Sequence, residues 1–126
     1  MTTLVSYFWI ALGGSLGSMA RYWMSQAVAQ VADETFPWGT LVVNILGSFV
    51  IGWFSPLPTS EGLRLFVTVG VCGGFTTFSA FSLQTFDLLR GGENLLALAY
   101  ILASVLLCVT ATVIGHNVAA GMIVRA

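Results

Sequence analysis

The chain has 126 residues, 57% of them hydrophobic and 7% charged, with four arginines, no lysine and a formal net charge of -1. So little charge excludes an ordinary soluble domain, and the lack of any basic cluster argues against nucleic-acid partners and a polybasic lipid-binding surface. Composition alone describes an integral membrane protein whose solvent is the lipid bilayer.

Cys72 and Cys108 both fall inside apolar runs, where neither a disulfide framework nor a site of several Cys and His has a place to form. Met1 to Ser6 carries no positive side chain and the apolar run after it is too long for a cleaved signal peptide. The sequence predicts a single all-α membrane domain over residues 1–126, with four transmembrane helices joined by short connections.

The first span is expected from about Leu4 to Val28, enough to cross a hydrocarbon core of about 30 Å at about 1.5 Å per residue. Gly13, Gly14, Gly17 and Ser18 stand three and four apart, so one face admits the backbone of another helix. Arg21 follows on roughly that side near the span's end, where an arginine either snorkels to the interface or lines an anion vestibule.

Asp33 and Glu34 mark a connection, and Pro37 suits the first turn of a new helix. The second span, about Trp38 to Phe54, places Thr40, Asn44 and Ser48 on one face at steps of four. An amide in hydrocarbon needs a partner, so Asn44 points inward. It makes either an interhelical hydrogen bond worth about 0.6 kcal/mol or an N–H donor for a passing anion.

Ser55 to Gly62, with two prolines, is a turn. The third span, about Leu63 to Leu89, contains Gly73-Gly74-Phe75-Thr76-Thr77, a poor uninterrupted helix because of its adjacent glycines and stiff threonines. The helix is expected to break at residues 73–77, near its middle. Backbone left unpaired there must be buried, line a watery cavity or hold an ion. Beyond the break Phe75, Phe78 and Phe81 recur every three residues, beside a strip of Thr76, Ser79 and Ser82.

The fourth span, about Leu95 to Ala119, carries Tyr100, Ser104, Cys108 and Thr112 at successive steps of four, a polar stripe about 18 Å tall. Any one of these hydroxyls alone usually bonds its own backbone. His116 and Asn117 near its end are read as interfacial.

Four spans put both termini on one side, with Arg64 and Arg125 there and Arg21 and Arg90 opposite. That balance gives no preferred orientation, so the chain is expected to insert both ways and pair antiparallel about an axis in the membrane plane. If the Gly73 and Thr76 carbonyls of two copies converge at that axis, they would bind a cation such as Na⁺.

The run GGFTTFSAFS from Gly73, NILGSF from Asn44, the opening GGSLGSMARY and the four short spans together resemble the Fluc (CrcB) family of fluoride channels over essentially the whole chain. The resemblance implies an antiparallel, dual-topology homodimer in the bacterial cytoplasmic (inner) membrane. It would have two pores for fluoride and a structural Na⁺ held by backbone carbonyls of Gly73 and Thr76. It also implies that Phe78 and Phe81 contact fluoride, that Asn44 is the pore asparagine, and that Tyr100 and Ser104 belong to a polar track with Thr40 near one pore end. Ser79, Gln84 and Cys108 join the expected fluoride path, with Arg21 at a vestibule. At position 80 the family often has Thr or Ser where this chain has Ala80, and at 84 often Glu where it has Gln84. Cys108 stands where a hydroxyl is common.

The residue chemistry is compatible with that reading. Fluoride holds its water strongly, so a pore must replace the waters with hydroxyl and amide donors, and phenyl ring edges add a weak positive field. A proton-coupled exporter of similar size would need an intramembrane carboxylate, and only Asp87, near a span end, comes close. An intramembrane hydrolase would need an activated nucleophile, which no motif supplies. A noncatalytic membrane assembly subunit is the remaining alternative.

Overall fold

The computed structural model describes residues 1–126. It is all helical: α1 (Thr3–Ala29), α2 (Trp38–Phe54), a third span made of α3 (Glu61–Arg64), a π-wound stretch (Leu65–Cys72), α4 (Gly73–Phe75) and α5 (Phe78–Arg90), and last α6 (Asn94–Arg125). Three spans, Thr3–Ala29, Glu61–Arg90 and Asn94–Arg125, are long and apolar enough to cross a membrane, and α2 is a shorter apolar helix of 17 residues. At about 1.5 Å per residue α2 covers about 25 Å, slightly less than the hydrocarbon thickness.

Backbone approach at glycines holds the bundle together. A Cβ at Gly13 would collide with the Phe66 carbonyl oxygen and lie 3.0 Å from Gly70 Cα; one at Gly17 would collide with Val71 O and lie 2.9 Å from Phe75 N. The expected small-residue face of α1 therefore packs on the third span upstream of its break, where dispersion between close backbones replaces the hydrophobic drive that lipid does not supply. The same device joins α2 to α6: a Cβ at Gly52 would collide with Thr112 O, and one at Gly115 would lie 2.8 Å from Trp53 N. Thr112 Oγ1 adds an interhelical bond to Ser48 O at 3.0 Å while also bonding Cys108 O at 3.1 Å.

The break is narrower than the sequence suggests. Gly73, Gly74 and Phe75 remain helical, and only Thr76 (φ -81, ψ 157) and Thr77 (φ -152, ψ 114) are extended. Gly74 is needed for approach rather than for a turn, since a Cβ there would sit 2.5 Å from Gly14 O. The π-wound turns before it were not legible from periodicity. Phe75 precedes the break, so the three-residue repeat of phenylalanines is not one continuous helical face: only Phe78 and Phe81 share α5.

The break changes the partner of the third span. Upstream of it the span lies on α1; downstream, α5 leaves α1 and packs on α6. Two extended residues give the chain the change of direction that one straight helix would deny it. Only 18 of the 126 residues are buried, so most apolar side chains face surroundings outside this single chain.

Candidate functional site: a polar cavity at the helix break

Asn44 pairs with the break as another strand would. Its Oδ1 accepts the Thr77 N–H at 2.8 Å and its Nδ2 donates to Thr77 O at 3.0 Å. The polarity of the Thr77 peptide thus decides which way the amide faces. The interhelical bond expected of Asn44 is present, and its partner is backbone. Asn44 is not wholly free as a donor, but an amide has two N–H groups and one lies outside this pairing.

Thr77 Oγ1 accepts the Ala80 N–H at 3.1 Å, capping α5. Two carbonyls consequently lose their helical amides. The Thr77 N–H that would close a turn onto Gly73 O is turned to Asn44, and the Ala80 N–H that would reach Thr76 O is turned to Thr77 Oγ1. Thr77 was missed as a site residue by sequence reasoning, although a Thr directly before the apolar residue that opens a helix, as Thr77 stands before Phe78, is a capping signal.

At this pairing lies a cavity of about 410 Å³ whose lining includes Asn44 and Ser48 of α2, Gly73, Thr76 and Thr77 of the break, Phe78 and Phe81, and Ser104 and Cys108, with no charged side chain. Ser104 is 8% exposed and its hydroxyl has no hydrogen-bond partner. Phe78 is 77% exposed, so the cavity is open on one side in a single chain. The Phe78 and Phe81 rings lie 5.3 Å apart at 47°.

A second cavity of about 260 Å³ opens where α1 ends and α2 begins, lined by Thr40, Gln84, Phe36 and Trp38 with Asp33 and Glu34. Beside it a third, of about 390 Å³, is bordered by Gln84, Glu34, Asp87 and Glu93. The Thr35 N–H at 3.1 Å and hydroxyl at 2.9 Å hold the Asp33 carboxyl below its usual range.

Tyr100 stands between the two ends. It is fully buried and lines none of these cavities; its hydroxyl donates to Gln84 Oε1 at 2.8 Å. The stripe on α6 is therefore not one continuous polar wall: Tyr100 is enclosed and Thr112 is bonded to backbone, leaving Ser104 and Cys108 on the cavity. Ser79 is exposed beside Thr77 Oγ1, at 3.3 Å, and neither it nor Arg21 on α1 borders these cavities. His116, read as interfacial, meets one side chain, its Nδ1 lying 3.0 Å from Ser55 Oγ in an exposed contact.

Chemically, the cavity at the break offers neutral amide, hydroxyl and thiol groups and two phenyl rings, and no acid, base or nucleophile pair for bond making. The family model described as CrcB-like protein, Camphor Resistance (CrcB), matches residues 8–116. A protein of Opitutus terrae named fluoride-specific ion channel FluC is 52% identical over 123 residues, covering 92% of this chain and 93% of that protein. Proteins of the same name from Methylocella silvestris and Methylobacterium radiotolerans are each 48% identical, over 122 and 118 residues that cover 91% and 88% of this chain and 93% and 82% of theirs. Similarity of that extent, running through every span and the break itself, means that the chain belongs to the CrcB family.

Proposed function

We infer that this chain is a multi-pass, fluoride-specific ion channel of the bacterial cytoplasmic membrane, passive rather than enzymatic, and that it works as an antiparallel homodimer with two pores. The observation that carries the reading is the uncharged cavity at the break, with the second Asn44 N–H, the unpartnered Ser104 hydroxyl and the Phe78 and Phe81 rings around it. The names of relatives about half identical to it support the same ion.

A fluoride leaving water needs a donor at each step. At the vestibule, Tyr100 has committed its proton to Gln84 Oε1, which leaves the Gln84 amide N–H groups to meet the ion, with Thr40 nearby. Deeper in, the positive edges of Phe78 and Phe81 attract the anion without the deep trap of a buried arginine. Ser104 and Asn44 supply strong donors, and Cys108 a weak one. A larger halide gains less from each of these donors and fits the narrow path poorly. A negative-inside potential moves the ion outward with about 2.3 kcal/mol per charge for each 100 mV, so no coupled reaction is needed.

The open side of the cavity and the exposed Phe78 ring support a second copy as the missing wall. The balanced arginines support dual insertion. The Gly73 and Thr76 carbonyls, deprived of helical amides, are hard neutral oxygens that fit Na⁺, with the partner copy completing the set. Such an ion would supply fixed positive charge binding the two breaks together.

Fluoride efflux from liposomes containing the purified protein, with matched chloride efflux and a potassium ionophore to dissipate the opposing voltage, tests the reading. Rapid fluoride loss with negligible chloride loss is expected. Equal loss of both ions, or of neither from a folded dimer, would refute it.

A further inference from the structure

We propose that Phe36, in the loop between α1 and α2, is a positioning residue of the anion path that acts through Tyr100 on Gln84; this rests on the reading of the chain as a fluoride channel. The loop holds Phe36 firmly. Pro37 has φ -78 and ψ 63, and the Trp38 N–H donates to Phe36 O at 2.8 Å, which is an inverse γ-turn. The Phe36 ring packs on Trp38 at 4.7 Å and stands edge-on to Tyr100 at 5.3 Å and 83°.

On its other side Tyr100 meets Phe81 at 5.0 Å and 49°. Phe36, Tyr100, Phe81 and Phe78 thus form an unbroken ladder of rings from the vestibular cavity to the cavity at the break. Tyr100 is held between two of them, and its hydroxyl donates to Gln84 Oε1 at 2.8 Å with the Thr40 side chain beside it. That bond decides whether Gln84 turns its oxygen or its N–H groups to an arriving anion. Phe36, the one member of the ladder set on a loop, holds the ring that makes the bond.

The experiment is fluoride efflux from liposomes by Phe36→Leu, Phe36→Tyr and Tyr100→Phe proteins and by the Phe36→Leu/Tyr100→Phe double variant, each checked for dimer yield and elution. Edge-on ring pairs have energies that correspond to about two- to tenfold in rate. Phe36→Leu is expected to lower efflux by that factor with dimer yield unchanged, and Phe36→Tyr to restore it. In the Tyr100→Phe background, Phe36→Leu should have no further effect, because the hydroxyl through which it acts is gone while the ring it packs on remains. Full efflux by Phe36→Leu, or the same fold loss in both backgrounds, would overturn the proposal, the latter leaving Phe36 as packing alone. If Phe36→Leu gives no dimer, Phe36→Met is judged by the same comparison. No fluoride release by the wild-type protein would overturn the channel reading and this role with it; wild-type release with Phe36→Leu unimpaired overturns this role alone.

Discussion

Replacing Asn44 by Ala tests whether the break is held open by a side chain. The substitution strands the Thr77 N–H and C=O, now bonded at 2.8 and 3.0 Å. Two unsatisfied backbone groups at about 1 to 3 kcal/mol each would cost about 2 to 6 kcal/mol. In membranes, side-chain bonds average only about 0.6 kcal/mol because other partners are found. Here the other partner is specific: the Thr77 N–H can return to Gly73 O if the third span closes into helix. A net loss of about 1 to 3 kcal/mol is therefore expected, between the two estimates. The functional loss should be greater than this implies for folding, since closure removes the free Gly73 carbonyl and reshapes the cavity. Asn44→Ala should lower fluoride efflux by about tenfold or more, with a lower melting temperature of the purified dimer. Asn44→Asp keeps an acceptor for the Thr77 N–H but loses the donor to Thr77 O and places negative charge on an anion path, so it should conduct no better. Wild-type efflux and unchanged thermal stability in Asn44→Ala would refute this account of the break.

Ser104→Ala should leave thermal stability unchanged or raise it by about 1 kcal/mol, because it removes a buried hydroxyl with no partner. Fluoride efflux should nonetheless fall, and a stability loss without a flux loss would assign Ser104 to packing. Phe81→Ile keeps bulk and loses the ring quadrupole; it should elute as the wild-type protein does yet conduct poorly, and unchanged flux would remove the ring edge from the mechanism. Gly17→Ala places a methyl group against Val71 O and Phe75 N and should destabilise the bundle by about 1 to 3 kcal/mol, read as lower dimer yield on purification. Two lysines added in the Gly91–Gly92 connection should bias insertion to one orientation and reduce antiparallel dimers, measured by cysteine labelling from each side; an undiminished dimer yield would count against dual topology.

Much of the site was visible as residue types at helical spacing. Thr40, Asn44 and Ser48 lie along one face of α2, and Ser104 and Cys108 along one face of α6, because a period of 3.6 residues is a local property of the chain. Phe36 was invisible for the opposite reason: its importance lies in a contact across 64 residues of sequence with Tyr100, and a loop phenylalanine carries no periodic signal. The width of the break was misjudged because adjacent glycines signal conformational freedom and close approach alike. Gly74 serves the second purpose, pressed against the backbone of Gly14.

By itself the sequence determined the membrane class, the four spans, the glycine face of α1 and the presence of a break, all of which follow from hydropathy, length and the local cost of glycine and threonine in a helix. Tertiary structure decided how each polar group is used. Hydrogen-bonding capacity is encoded in a residue, but its partner is chosen by which backbone arrives opposite it. Asn44 became the clasp of the break, Tyr100 a buried donor to Gln84, Thr112 a link to α2, and Ser104 the hydroxyl left free.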